Sequence, residues 1–217
     1  AAAARRTRPV RARSFTRPVG YTVPGIVPVI AQDKPMACWA FATTMLVSWR
    51  ENQSLAVPDL LNRFGAQWRA IYHADTGLRV TDAPLFLATV GLVQEPAASF
   101  PATTWEDMLR RYGPLLIVGD EASGQAFAVH ARVVVEISGD GGPTTSVDVV
   151  DPGTGTRYVE TFVRFLEKYE ELAPTAWAGV QIIHWPQASA AAQSMSRARS
   201  TTGLARAWST ADGDVEA

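Results

Sequence analysis

The chain has one cysteine, Cys38, set in Gln32-Asp33-Lys34-Pro35-Met36-Ala37-Cys38-Trp39-Ala40-Phe41, where an apolar run of helical period begins. A lone thiol forms no disulfide within its own chain and is too few for a cysteine-based zinc site. It is either a small buried hydrophobe or a nucleophile. At a helix N-terminus a sulfur faces unpaired backbone N–H groups and the positive end of the helix dipole, which favours the thiolate. A nucleophile placed there needs a histidine to move protons and a group to orient that histidine.

His130 lies inside a valine-rich stretch, 127–137, that reads as a strand. Alternation puts Phe127, Val129, Ala131, Val133 and Val135 on one face and His130, Arg132 and Glu136 on the other, expected to be the wetter one. Asp151 ends the next predicted strand, 21 residues after His130. With a hairpin turn near Gly141, positions equidistant from the turn pair, so His130 and Asp151 are expected as cross-strand neighbours to within a residue or two. Such a carboxylate fixes the tautomer of the ring, and the ring then shuttles protons for the thiol. Charge on an attacked carbonyl oxygen needs fixed donors; the Cys38 N–H is one, and Gln32, six residues upstream, can supply the second. Each residue alone has an ordinary structural use: core thiol, strand histidine, turn aspartate, loop glutamine. Their combination is what points to catalysis.

The elements that must position these groups follow from period and punctuation. Residues 18–31, with three prolines, are expected to run extended over the surface. From Cys38, the spacing of Phe41, Ala42, Met45 and Trp49 predicts a helix burying one face. A second helix is expected over 58–72, with Leu60, Leu61, Phe64, Trp68 and Ile71 inward. A third spans 83–90 with Asp82 as N-cap and Gly91 as stop, and a fourth opens with a Thr103/Glu106 capping box and ends before Gly113-Pro114. Strands are expected at 115–118, 127–137 and 146–150, with Asp151-Pro152-Gly153-Thr154-Gly155 as a tight turn. A helix over 161–171 and a last strand over 179–184 complete an α+β core with helices first and an antiparallel sheet afterwards.

At 217 residues, 47% hydrophobic and 19% charged, the composition is that of an ordinary globular protein, and no window approaches the roughly 18 apolar residues of a membrane span. Net charge is −1, but residues 1–17 hold six arginines and no acid, leaving the remainder at −7. Residues 1–20 are read as a disordered arginine-rich arm and 188–217 as a flexible tail, with nucleic acid an unfavoured partner for the arm. The domain is placed at 21–187: a helical lobe over about 32–113 and a sheet lobe over about 114–187. The start lacks the apolar segment of a secretory signal, and the missing initiator methionine points to a processed product or an excised piece. His73 is expected to be exposed and His184 to pack; neither has metal-ligand spacing, and no glycine-rich phosphate loop is present.

Gln32 with Cys38-Trp39-Ala40-Phe41 resembles the active-site segment of papain-like cysteine proteases, which also share the order Gln, Cys, His, then Asn or Asp. Tyr112-Gly113-Pro114-Leu115, His130-Ala131-Arg132-Val133-Val134 and Asp151-Pro152-Gly153 look more like compact bacterial members, including effector proteases delivered into host cells. The resemblance implies a papain-like α+β fold over roughly 25–187. It also implies a cysteine peptidase acting through Cys38 as nucleophile, His130 as acid/base, Asp151 as orienter and Gln32 as oxyanion donor, with Trp39 packing behind the site. It implies protein or peptide substrates and no cofactor or metal. Met36-Ala37 departs from the small residues usual before the cysteine, and Asp151 from the usual asparagine. The Cys-to-His interval is 92 residues, against about 130–150 in papain and cathepsins. The groove walls must therefore differ. The absence of disulfides fits a reducing cytosol, either as residence or before export without a classical signal. Two rivals share the sequence: a transglutaminase-like acyl transfer to an amine, and an inactive papain-like scaffold that binds through the arginine arm.

Overall fold

The computed structural model describes residues 17–121 and 128–187. Residues 1–16 of the expected arm, the whole expected tail and the first residue of the 127–137 strand lie outside the described residues. Residues 18–31 do not simply cross the surface: Val19–Thr22 form a strand, β1, antiparallel to the end of the long strand β4 (Val129–Gly139), with Val19 opposite Gly139 and Thr22 opposite Glu136. Val19 and Val23 supply the buried side chains that hold it there.

Helix α1 (Cys38–Glu51) begins at the cysteine itself and ends on Asn52 in the left-handed region (φ 51°). Every residue from Trp39 to Ser48 is buried, so the helix is enclosed rather than one-sided. The helix expected over 58–72 is two, α2 (Val57–Phe64) and α3 (Ala66–Ala74). The apolar period runs on across Gly65, but its backbone (φ 129°, ψ 156°) cannot be helical, and a Cβ there would sit 2.7 Å from Gln67 Oε1. Helix α4 (Ala83–Val90) stops at Gly91 (φ 89°) as expected, but Asp82 does not cap it; its carboxylate accepts from Arg79 at 3.1 Å. After the two-residue strand β2 (Val93–Gln94), helix α5 (Ala102–Tyr112) starts before Thr103, so the capping box does not form. Glu106 instead sits buried, accepting from Gly20 N–H (3.1 Å), Arg110 (2.8 Å) and Arg17 (2.8 Å).

The sheet then assembles from β3 (Leu115–Asp120), β4, β5 (Ser146–Asp151), β6 (Thr156–Thr161) and β7 (Ile182–His184), in the order β2-β7-β3-β4-β5-β6, all neighbours antiparallel. Strand β6 was not expected: its alternation is polar, as suits an edge, and it falls between the expected turn at 151–155 and the expected helix at 161–171. Helix α6 (Phe162–Glu170) follows it directly, with Thr161 Oγ1 accepting the Arg164 N–H at 3.2 Å as cap. A 3₁₀ turn (Ala176–Val180) occupies the first part of the expected last strand and shortens β7.

The antiparallel sheet separates two apolar cores. On one side α1 to α4 pack against Leu116, Val118, Ala131, Val133 and Ile183. On the other, α5 and α6 pack against Leu115, Ile117, Val134, Val149 and Ile182. The mixed α+β class expected from the chain is present, but helices cover both sheet faces rather than preceding the sheet as a separate block. Strand β4 is buried along most of its length because both cores need it.

Candidate active site

Cys38 is the first residue of α1, following Ala37, which offers no side-chain cap. Helix geometry gives the Cys38 and Trp39 N–H groups no intrahelical acceptor, whereas those of Ala40 and Phe41 donate to Ala37 O at 2.9 and 3.2 Å. The thiol is partly exposed and lies close enough to His130, one residue into β4, to help raise that ring's pKa. His130 Nε2 lies 2.6 Å from Asp151 Oδ1, leaving Nδ1 for the sulfur. Burial works against the imidazolium, but Asp151 and Cys38 outweigh it and lift the ring to about 9. Burial likewise opposes the Asp151 carboxylate, yet His130, the Gly153 N–H (2.7 Å) and the Arg132 charge hold it below the usual carboxylate range.

The register differs in detail from a direct cross-strand pair. Strands β4 and β5 pair Val133 with Val150 and Val134 with Val149, and the ladder shifts between Val134 and Glu136. Continued from Val133–Val150, that register sets Asp151 opposite Arg132 and His130 opposite Gly153. The His130–Asp151 contact is thus a diagonal one, within reach of long side chains. Gly153 makes the diagonal possible: a Cβ there would lie 2.9 Å from His130 Cε1, 3.0 Å from Nε2 and 3.2 Å from Asp151 Oδ1. The residue appears in the sequence as an ordinary turn glycine; only the ring lying over it reveals its function.

Gln32 sits in the loop before α1. Its backbone N–H donates to Pro152 O at 2.8 Å, binding the loop to the turn that carries Asp151. Its carboxamide Nε2 donates to Pro35 O at 3.1 Å, and Oε1 is buried with no hydrogen-bond partner among the described residues. The amide carries two N–H groups, so one remains beyond the Pro35 bond.

The face shared by His130 and Arg132 is the less buried one at His130 and Glu136, as expected, but not at Arg132. Arg132 is fully buried, with Glu121 at 2.7 Å, Glu160 at 2.7 Å and Tyr158 Oη at 3.0 Å. Lys168 of α6 reaches the same two carboxylates at 2.9 Å each. Alternation ranks the two faces by polarity and does not show that α6 closes over Arg132, where the ions pair beneath it. Beside the thiol, an apolar pocket opens between Met36, Trp39, Leu78, Phe86, Val129 and Trp177. Trp39 packs edge-on against Phe86 (centroids 4.9 Å apart), behind the cysteine. His73 is exposed. His184 is buried, 3.0 Å from Glu95 and stacked on Tyr112 at 3.7 Å, a packed residue as expected.

A thiol on a helix N-terminus, an imidazole on a facing strand and an antiparallel sheet between helices are the arrangement of a papain-like cysteine protease. The family described as papain-like cysteine protease AvrRpt2 matches residues 19–170, and the chain belongs to it. It is accordingly a cysteine-type peptidase, a hydrolase acting on proteins. No curated protein matches the chain. Among the described residues no helix is long and apolar enough to cross a membrane.

Proposed function

We propose that the chain hydrolyses peptide bonds through Cys38, His130 and Asp151, by way of a thioester acyl-enzyme. The observation that carries this reading is the His130 ring, bonded to Asp151 on Nε2 and close enough to Cys38 to be raised by it. Cys38 Sγ attacks the scissile carbonyl carbon, and the developing oxyanion is received by the Cys38 N–H and the Gln32 carboxamide. The His130 imidazolium gives its proton to the departing amine, which leaves the acyl group on sulfur. His130, now neutral, takes a proton from water; the hydroxide displaces the thiolate and restores the ion pair. Asp151 keeps the proton-bearing nitrogen aimed away from the sulfur and stabilises the charged ring.

The substrate lies in the cleft between the α1–α4 side and the sheet, with one apolar side chain seated in the pocket beside Cys38. The two walls act as the helical and sheet lobes of one peptidase unit over residues 21–187. The protein serves as an effector-type or self-processing protease. The test is a peptide-library digest with native protein, Cys38→Ala and His130→Ala. Native protein is expected to cleave next to residues with apolar neighbours, both variants to stay folded and lose turnover, and iodoacetamide to label Cys38 far faster than free cysteine. Undiminished cleavage by Cys38→Ala would end the proposal.

A further inference from the structure

Gln32 is gripped from both sides of the cleft by residues that never reach the reacting atoms. On the helical side, Tyr72 of α3 is buried, and its hydroxyl donates to both carboxylate oxygens of Asp33, at 2.7 and 3.0 Å. Asp33 is the residue immediately after Gln32. Burial first, and then Asp33, push the Tyr72 phenol up to about 12, so it stays a donor at any working pH. Asp75, just past the end of α3, accepts the Met36 N–H at 2.9 Å, holding the other end of the same loop. On the sheet side, the Gln32 N–H is fixed to Pro152 O, and Gly155 backs the loop at Ala31. Gly155 has φ +63°, and a Cβ on it would lie 2.6 Å from Ala31 Cβ. The residues on either side of Gln32 are thus each seated against a different wall.

We propose that Tyr72, through Asp33, and Gly155, through Ala31, are positioning residues that hold the Gln32 carboxamide where the oxyanion forms. The inference rests on the oxyanion role of Gln32 proposed above. A loop seated on one wall only would follow that wall when the cleft flexes, and its amide would miss a target on the other. Seating both neighbours fixes the amide relative to the Cys38 N–H and to the His130–Asp151 turn together. The cost of a misplaced donor is borne in turnover, because the donor is used only once the carbonyl oxygen has become charged.

Alkylation separates this effect from damage to the thiol–imidazole pair. Iodoacetamide reacts with the Cys38 sulfur by displacement of iodide and develops no oxyanion, so it reads the ion pair but not Gln32. The experiment compares native protein, Gln32→Ala, Tyr72→Phe, Gly155→Ala and the double variants for kcat, KM and iodoacetamide rate on a cleaved peptide. Gln32→Ala is expected to lower kcat by about a hundredfold or more. Tyr72→Phe and Gly155→Ala are each expected to lower kcat by roughly tenfold, as a sub-ångström misplacement does, with KM and alkylation within about twofold of native. In the Gln32→Ala background Tyr72→Phe should cost nothing further, and Ala31→Gly should restore turnover to Gly155→Ala by removing the facing methyl. Should Gly155→Ala fail to fold, Tyr72→Phe, which removes one oxygen, still decides the matter. Native turnover in Tyr72→Phe while Gln32→Ala is crippled overturns the clamp alone. Full losses that add in the double variant, or alkylation falling in step with kcat, overturn it too. Native turnover in Gln32→Ala overturns the oxyanion role and the clamp together.

Discussion

His130 carries two partners on one ring, and its protonation therefore couples stability to turnover. Its pKa is raised from 6.5 to about 9, so the pairing contributes in full below about 6.5 and is lost as pH rises through about 9. Asp151 is lowered, so its share is present above 3.8 and lost as pH falls through its lower folded value. The Tm difference between native protein and Asp151→Asn is expected to be largest between about pH 4 and 6.5 and to narrow above about 9; a difference that grows with alkalinity would contradict the pairing. For the same reason kcat/KM should fall on the alkaline side near pH 9, where the leaving amine loses its proton donor, and that limb should move to lower pH in Asp151→Asn. Gly153→Ala tests the ring's seat: the added methyl collides with Cε1 and Nε2, and turnover is expected to drop at least about tenfold while the fold persists. Circular dichroism with a peptide assay checks both halves of that statement. The two glycines of this turn, 153 and 155, could not be told apart in the sequence, because each becomes special only through a neighbour from elsewhere, His130 or Ala31.

The elements themselves were legible wherever a period and a stop coincided. Helices α1 and α4 and strands β3, β4 and β5 lie where their apolar patterns put them, and Gly91 ends α4 in the predicted left-handed turn. The pattern failed where backbone conformation or a distant partner decides. Gly65 breaks a continuous apolar stripe; Glu106, expected to cap, is drawn inward by Gly20 and two arginines; β6 is polar enough to pass for a loop. The four candidate site residues are picked out by type and order, which chemistry dictates, whereas the diagonal register between β4 and β5 depends on a bulge that no local signal marks. Arg132 shows the same limit. It was placed on the correct face of β4, but its ion cluster with Glu121, Glu160 and Lys168 needs β6 and α6 to exist. Arg132→Met would leave two half-buried carboxylates sharing one lysine. The loss expected in urea unfolding is about 3 kcal/mol or more, with Arg132→Lys intermediate. An unchanged midpoint would mean the cluster relaxes at no cost.

At the scale of the molecule, the sheet joins residues remote in sequence. Strand β1 pairs with the last four residues of β4, and Gly20 donates into the buried Glu106, so the N-terminal strand closes the α5 core as well as lengthening the sheet. A chain beginning at Val23 is expected to lose about 3 kcal/mol, from Val19 burial and the stranded Glu106 acceptors, with a matching fall in Tm. A chain beginning at Arg17 keeps both interactions.

Strand β4 also sets the order of events when the polypeptide is made. The helix bearing the sulfur emerges early, but the proposed proton shuttle follows 92 residues later, the carboxylate 21 beyond that, and β1 waits throughout for the far end of the same strand. A ribosome that stalls before residue 130 releases the thiol without the histidine set beside it. On the proposed reading, hydrolysis waits until residue 151 has emerged, a built-in delay that spares the synthesising cell from a half-made scissor.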